Sequence, residues 1–196
     1  MDDASRADVA ASLDWWEERD PRIKVVHLPE NRGPYFARNV ALERYAHGDY
    51  VTVHDDDDWS HPRKIEAQVA RLEAERGVPA NMSRSVRTTP DLRLYRRTPE
   101  PEFAQDNYSS LMIRRGVLDG LGYWDVVNRA ADGELRDRIM AAHDIEVPVV
   151  GQAPLSWMRA WPESISHGEI SRGYIDPRRR WYGMAYRAWH GRARER

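Results

Sequence analysis

A chain of 196 residues, 41% hydrophobic and 32% charged, is of single-domain length and apolar enough to bury a core, which excludes intrinsic disorder. Its net charge of -2 excludes non-specific nucleic-acid binding by the whole chain, and the preference for arginine, with Lys24 and Lys64 the only lysines, reads as a GC-rich coding sequence before it reads as phosphate recognition. The absence of cysteine excludes disulfides and suits a reducing cytoplasm; with no signal-peptide pattern and no apolar run near about 18 residues, neither export by an N-terminal signal nor a bilayer span is expected.

The first predicted element is a helix in which Val9, Leu13 and Trp16 recur at helical spacing, with Ser5 and Asp8 in capping-box positions and Pro21 as its end. Residues 22–28 read as a strand with Ile23, Val25 and Val26 as its apolar residues, stopped by Pro29. A turn at residues 30–34 leads into a helix over 34–47, closed by Gly48. Residues 49–53 form a short β-branched strand. A third helix, 62–76, presents Ile65, Val69 and Leu72 on one face and stops at Gly77. This alternation predicts a parallel sheet with right-handed crossovers. Residues 79–107, rich in Pro, Arg, Thr and Asn, predict short strands and loops, including 92–95. Residues 109–115 read as a strand, 116–125 as a turn-rich segment carrying Tyr123 and Trp124, and 131–143 as a helix with Leu135 and Ile139 inward. Strand-like pieces follow at 145–150 and 155–161. The tail 177–196 carries seven arginines and one acid among Trp181, Tyr182, Tyr186 and Trp189; it reads as a basic amphipathic helix docked through its aromatics, with membrane contact as the alternative.

The most informative stretch is His54-Asp55-Asp56-Asp57-Asp58. At about 4 Å and an effective dielectric near 20, each pair of like charges costs roughly 4 kcal/mol, so something must offset the repulsion. The acids stand at the carboxyl end of a predicted strand, where open α/β sheets bind ligands. In extended geometry Asp55 and Asp57 point to one side, Asp56 and Asp58 to the other. Two carboxylates on one side, without cysteine or a histidine cluster, suit a hard divalent cation, Mg²⁺ or Mn²⁺, shared with a phosphate. A solvated acidic turn is the plain alternative.

Two segments together carry a resemblance. Arg22-Ile23-Lys24-Val25-Val26, Asn31-Arg32-Gly33, Ala37-Arg38-Asn39, Gly48-Asp49-Tyr50-Val51, Asp55 to Asp58 and Pro62 look like the nucleotide-sugar half of glycosyltransferase family 2, the inverting GT-A enzymes. Gly122-Tyr123-Trp124-Asp125, Ala131-Asp132-Gly133-Glu134-Leu135 and Arg138 resemble its acceptor half. The resemblance, over roughly residues 2 to 167, implies an α/β GT-A-like (Rossmann-like) fold with a mainly parallel sheet flanked by helices. It also implies a single domain over 1–176, with a nucleotide-sugar-binding half at 1–78, an acceptor half at 79–176, and 177–196 as a tail.

By that resemblance Asp55 and Asp57 match the ends of the DxD motif, with Asp57 as the metal ligand and Asp55 and Asp56 near the ribose or in the metal shell through water. Asp2 and Asp3 resemble the aspartates of which one recognises the base; Asn31 and Arg38 lie on the nucleotide side. Asp132 matches the general base that deprotonates the acceptor hydroxyl, with Glu134 as the alternative because Ala131 stands where the family has Glu. Tyr123 and Trp124 offer an acceptor-stacking platform, and His167 lies where some GT-A enzymes place a late metal- or diphosphate-contacting histidine. Each has a structural rival: a helix cap for Asp132, a surface arginine for Arg38, a turn residue for Asn31, core aromatics for Tyr123 and Trp124, and an ordinary histidine for His167. Transfer from a nucleoside-diphosphate sugar needs charge stabilisation on the leaving diphosphate and one carboxylate to take the acceptor proton; a single displacement inverts the anomeric centre.

The expected partners are a UDP- or GDP-sugar donor and a saccharide, lipid-linked glycan or other hydroxyl acceptor, with Mn²⁺ or Mg²⁺ as cofactor, in the cytoplasm with peripheral membrane association and a homodimer left open. Family members begin with a strand, helix and strand before the aspartates, about 30 residues that this sequence lacks, so an N-terminally truncated sheet with an unpaired edge is expected. A truncated, non-catalytic nucleotide-binding relative and a nucleotidyltransferase are the alternatives.

Overall fold

The protein is described by a computed structural model covering residues 1–96, 101–160, 169–171 and 174–194. His167 and the end of the predicted strand at Trp161 lie outside the described residues. Its contacts divide the chain into two units.

The first unit comprises Met1–Gly48 and Tyr123–Ala131. Helix α1 spans Ala7–Glu17, with Arg6 at its N-cap and no capping side chain. The expected capping box does not form, because the Ser5 N–H donates to Asp2 Oδ1 at 3.0 Å. None of the helix's residues is buried, and Val9 and Trp16 are exposed, so its helical spacing marks a surface stripe. Residues 22–28 give no strand but one parallel bridge between Asp2 and His27. It is closed by Asp2 N–H to Val26 O at 2.9 Å and Leu28 N–H to Asp2 O at 2.8 Å. A strand is defined by its ladder, and among the described residues this stretch has a single-residue partner; its β-branched composition is therefore not enough. Helix α2, Pro34–Arg44, starts where Gly33 takes φ 89°, a conformation that costs glycine nothing, and Pro34 pre-sets the first helical φ. It buries Tyr35, Ala37, Val40 and Leu42 and ends before the predicted His47.

The second unit, Asp49–Gly122 and Asp132–Arg196, holds the sheet. In chain order it runs β1 (Tyr50–Thr52), β2 (Trp59–Ser60), α3 (Lys64–Ala74), β3 (Ala80–Thr88), β4 (Leu94–Tyr95), β5 (Gln105–Arg114), α4 (Arg115–Leu121), α5 (Ala131–His143), β6 (Val149–Arg159), β7 (Ile170–Ser171), β8 (Tyr174–Ile175) and α6 (Pro177–Arg194). The main sheet is ordered β1-β5-β3-β6-β2, with β4 beside β3. The α/β class holds, but the sheet is mixed where mainly parallel pairing was expected. Only β3 and β6 pair in parallel, while β1–β5, β2–β6, β3–β4 and β3–β5 are antiparallel. The reason is insertion: β1 and β3, joined through α3, run the same way, and β5 enters antiparallel between them.

The chain from 79 to 107, expected to be short strands and loops, contains the central strand β3. Its polar residues hid it. Asn81, Ser83, Ser85 and Thr88 are buried alongside Ala80, Met82 and Val86, so no polar–apolar alternation survives in the sequence. The inner face of α3 is Lys64, Gln68 and Leu72, at i, i+4 and i+8, whereas Ile65 faces solvent. Gln68 explains why: its Nε2 donates to Asn81 Oδ1 (3.1 Å) and Ser110 O (2.7 Å), and Asn81 Nδ2 donates back to Gln68 O (2.8 Å). Helix α4, Arg115–Leu121, forms around buried Leu118 where 109–115 was expected to end a strand and 116–125 to turn. Two predicted strands merge into the single β6. Helix α5 keeps its predicted bounds and inward Leu135 and Ile139.

Candidate functional site

The acidic run connects β1 at one end of the strand order to β2 at the other. Six residues, 53–58, make that link, so the sheet curls to bring its ends within their reach. The run is a turn rather than the extended segment expected: Asp58 N–H donates to Asp55 O at 3.2 Å. The strict alternation of the four carboxylates is lost with it. The turn is anchored at the carboxyl end of the parallel pair. Arg159 N–H, the last residue of β6, donates to Asp58 Oδ1 at 2.9 Å, and Ala160 N–H donates to Thr88 O, the last residue of β3, at 2.8 Å.

Two cations, buried Lys64 and half-buried Arg87, offset the repulsion, and neither was singled out in the sequence. Lys64, at the start of α3, is only 3% exposed. Its Nζ donates to Ser60 Oγ at 3.3 Å, and Ser60 Oγ lies 3.0 Å from His54 Nδ1. Burial lowers the Lys64 pKa, while the charges of Asp55 and Asp58 pull it back up. Arg87, near the end of β3, is lowered by burial and raised by Asp58 and Asp57. In Asp58, half-buried like Asp55 and Asp57, burial pushes the pKa up to about 6, Asp57 and Asp55 add to that, and the Arg159 N–H and Arg87 oppose it. Asp55 and Asp57 are half-buried and Asp56 is exposed. The signal for Lys64 was present: one of two lysines in an arginine-rich chain, spaced i, i+4, i+8 with Gln68 and Leu72.

Asp55 and Asp57 offer hard oxygen donors. Among the described residues no group of three or more His, Cys, Asp or Glu is gathered to hold a metal. One or two carboxylates suffice for Mg²⁺ or Mn²⁺ when diphosphate oxygens and water complete the shell, so the donor set fits such a cation.

The acceptor-side residues separate into two kinds. Asp132 is the second residue of α5, half-buried in its first turn; the N-cap position precedes it, so the capping rival is replaced by a favourable place in the helix dipole. Glu134, the alternative base, is 2% exposed. Arg138 donates to both its oxygens, Nε to Oε1 at 2.9 Å and Nη2 to Oε2 at 2.8 Å, and His190 Nε2 lies 3.0 Å from Oε1. Glu134 is thereby committed to an internal ion network.

In the first unit, Asp2 is buried and already engaged. Its carboxylate accepts from Ser5 N–H and meets His27 Nδ1 at 2.6 Å; hydrogen bonds from the Ser5 side chain first and His27 second lower its pKa to about 2. Asp3 organises the following turn: its carboxylate accepts from Arg32 N–H (2.8 Å) and Gly33 N–H (2.7 Å), and Asn31 Nδ2 donates to Asp3 O (3.1 Å). Asn31 thus has the turn role its rival reading gave it. Trp124 is 4% exposed and is fixed by a reciprocal pair with Asn39: Asn39 Nδ2 to Trp124 O at 2.7 Å and Trp124 N–H to Asn39 Oδ1 at 3.1 Å. It is a core aromatic, too enclosed to be a platform. The Arg38 guanidinium lies over the Tyr35 and Trp124 rings, 5.1 and 5.9 Å from their centroids. Tyr123 is half-buried.

A mixed curled sheet flanked by helices, with an acidic turn at its strand ends, defines an α/β domain of the GT-A type. The chain belongs to glycosyl transferase family 2, whose family model matches residues 1–131. Solved structures share the fold. A mannosyltransferase, PcManGT from Pyrobaculum calidifontis in complex with GDP-Man and Mn²⁺, superposes with a TM-score of 0.61 at 21% identity over 85% of this chain and 48% of that one. S. aureus TarS 1–349 in complex with UDP-GlcNAc gives 0.59 at 18% identity over 83% and 49%. Among curated relatives, "Putative teichuronic acid biosynthesis glycosyltransferase TuaG" of Bacillus subtilis (strain 168) is 45% identical over 69 residues, 35% of this chain and 27% of that protein. An uncharacterized glycosyltransferase of Haemophilus influenzae is 44% identical over 52 residues, 26% of this chain and 20% of that protein. The chain therefore spans about half the length of the solved relatives and matches about a quarter of the curated ones.

Proposed function

We propose that the protein transfers a sugar from a nucleoside-diphosphate donor to a hydroxyl acceptor with inversion. The observation that carries this reading is the acidic turn anchored by Arg159 N–H at the carboxyl ends of β3 and β6, with the charges of buried Lys64 and half-buried Arg87 set against it. Family membership and the nucleotide-sugar complexes of PcManGT and TarS support it. In this reading Asp57 is the principal ligand of Mn²⁺ or Mg²⁺ and Asp55 assists. Such a cation supplies Lewis-acid stabilisation of the leaving diphosphate. Asp56 faces the ribose. Asp3, Asn31 and Arg38 serve the nucleotide, with Asp2 held in place by His27. Asp132 takes the acceptor proton, and Tyr123 contacts the acceptor.

The test is a calorimetric titration of the purified chain with UDP and GDP, with and without Mn²⁺, followed by an assay for released nucleoside diphosphate. Metal-dependent binding of one nucleotide is expected, and Asp57→Asn abolishes it. Unchanged nucleotide affinity in that variant would overturn the metal assignment; binding without turnover would identify a non-catalytic relative.

A further inference from the structure

Helix α6 is amphipathic in the opposite sense to a docked surface helix. Its inner face is polar: Tyr186 Oη donates to Asp137 Oδ2 at 2.9 Å and His190 Nε2 lies 3.0 Å from Glu134 Oε1, both partners on α5. Its outer face is aromatic and apolar. Trp181, Met184 and Trp189 are 68%, 62% and 57% exposed, and exposed Ala185 and Ala188 lie between them, at helical spacings i, i+3, i+4, i+7 and i+8. Arg178, Arg180, Arg187 and Arg192, all exposed, fringe that stripe, Arg178 paired with Asp176 at 2.8 Å and Arg187 with Asp137 at 3.3 Å. The helix holds six arginines and no acid, in a chain whose net charge is -2.

We propose that the outer face of α6 is a docking surface for an anionic lipid bilayer, on which the helix lies in the headgroup plane. Charge complementarity selects this occupant: concentrated arginine on a net-acidic molecule is drawn to negative headgroups, with each residue near the surface contributing separately. The aromatic stripe suits the same place, because tryptophan rings favour the boundary between headgroups and acyl chains, and arginine stems lie along apolar surface with their heads in water. An acidic protein would match the arginines but not a contiguous Trp-Met-Trp stripe without its own apolar groove. The helix lies on the surface and does not cross it: among the described residues no helix is long and apolar enough to span a membrane. The docking surface stands independently of the transferase reading; the corollary that the acceptor hydroxyl is presented from the bilayer rests on that reading.

Co-sedimentation of the full chain with phosphatidylcholine vesicles, with and without a quarter of phosphatidylglycerol, tests it. Binding is expected only to the anionic vesicles and weakens with added salt. Replacing both Arg180→Gln and Arg192→Gln lowers the partition coefficient about 30-fold, from the headgroup attraction of two arginines. Trp181→Ser with Trp189→Ser lowers it as well; all four side chains are exposed, so both pairs keep the wild-type circular dichroism. Absence of binding to anionic vesicles, or equal partition of wild type and both double variants, would overturn the proposal. So would a concentration-dependent dimer in sedimentation velocity that the tryptophan pair abolishes without vesicle binding, which would assign the stripe to a second copy. Nucleotide titration of the same variants reads the donor site separately: vesicle binding lost with nucleotide affinity intact separates the two readings.

Discussion

Glu134 and Asp132 stand two residues apart on one helix and differ in burial, Glu134 being enclosed and Asp132 half-buried, so their substitutions are expected to differ. Glu134→Gln removes the charge that pairs Arg138 and His190 inside the protein, and breaking such a buried pair costs about 3 kcal/mol. The expected result is a melting temperature roughly 6–12 °C lower, with nucleotide affinity unchanged, as read by calorimetry. Asp132→Asn is expected to do the reverse: near-wild-type melting and donor binding, with transfer lost. His27 gives a pH dependence. Hydrogen bonds to Asp2 first and Asp14 second raise its pKa above the ordinary 6.5, while hydrogen bonds from the Ser5 side chain first and His27 second lower Asp2 to about 2. A raised base contributes stability fully below 6.5 and loses it as pH climbs through the raised value. A lowered acid contributes above its ordinary 3.8 and loses it as pH falls towards 2. Both contributions are complete between these ordinary values. His27→Gln is therefore expected to lower the melting temperature more at pH 5.5 than at pH 9; an equal loss at both would show that only the neutral hydrogen bonds matter.

At the scale of elements, α3 is docked by hydrogen bonds as much as by apolar area. Gln68, Asn81 and Ser110 are wholly buried, and Gln68 donates to Asn81 Oδ1 and to Ser110 O, which also accepts from Thr52 Oγ1 at 3.4 Å. Gln68→Leu keeps the volume but strands Asn81 Oδ1 and leaves Ser110 O with the longer Thr52 Oγ1 bond, for an expected loss of about 1–3 kcal/mol in urea unfolding. A stability gain would mean that the network is replaceable by hydrocarbon. The α3 helix itself was legible from Ile65, Val69 and Leu72, yet its inner face was not. Hydrophobic periodicity cannot register a buried Lys64 or Gln68, which are inside only because Ser60, Asn81 and the acidic turn await them. The same blindness hid β3, whose buried serines and asparagine look like loop residues. Helix α4 was hidden differently: Gly116 and Gly120 signal turns, and burial of Leu118 outweighed them.

On the scale of the molecule, ligand binding should appear as stability. A nucleoside diphosphate with Mn²⁺ at about 100 times its dissociation constant adds about 2.7 kcal/mol, or roughly 5–10 °C in melting temperature. The rise is expected for one of UDP and GDP only and should vanish in Asp57→Asn. A rise without Mn²⁺ would detach the nucleotide site from the acidic turn.

The sequence by itself determined the α/β class, the family motifs, helices α2 and α5 and the basic aromatic tail, because each is written in local spacing: 3.6-residue periodicity, punctuation by glycine and proline, and short motifs whose chemistry needs neighbours in the chain. Only the tertiary structure decided how the strands pair, which face of α3 is internal, that the acids make a turn, and which carboxylate on α5 is spoken for. It also decided that the tail helix turns its polar side inward and its tryptophans out. Those outcomes depend on partners distant in sequence. Antiparallel β5 between β1 and β3, Arg87 and Lys64 beneath the acids, and His190 against Glu134 are juxtapositions that no local window contains, and the free energy of a buried charge is fixed by what it meets.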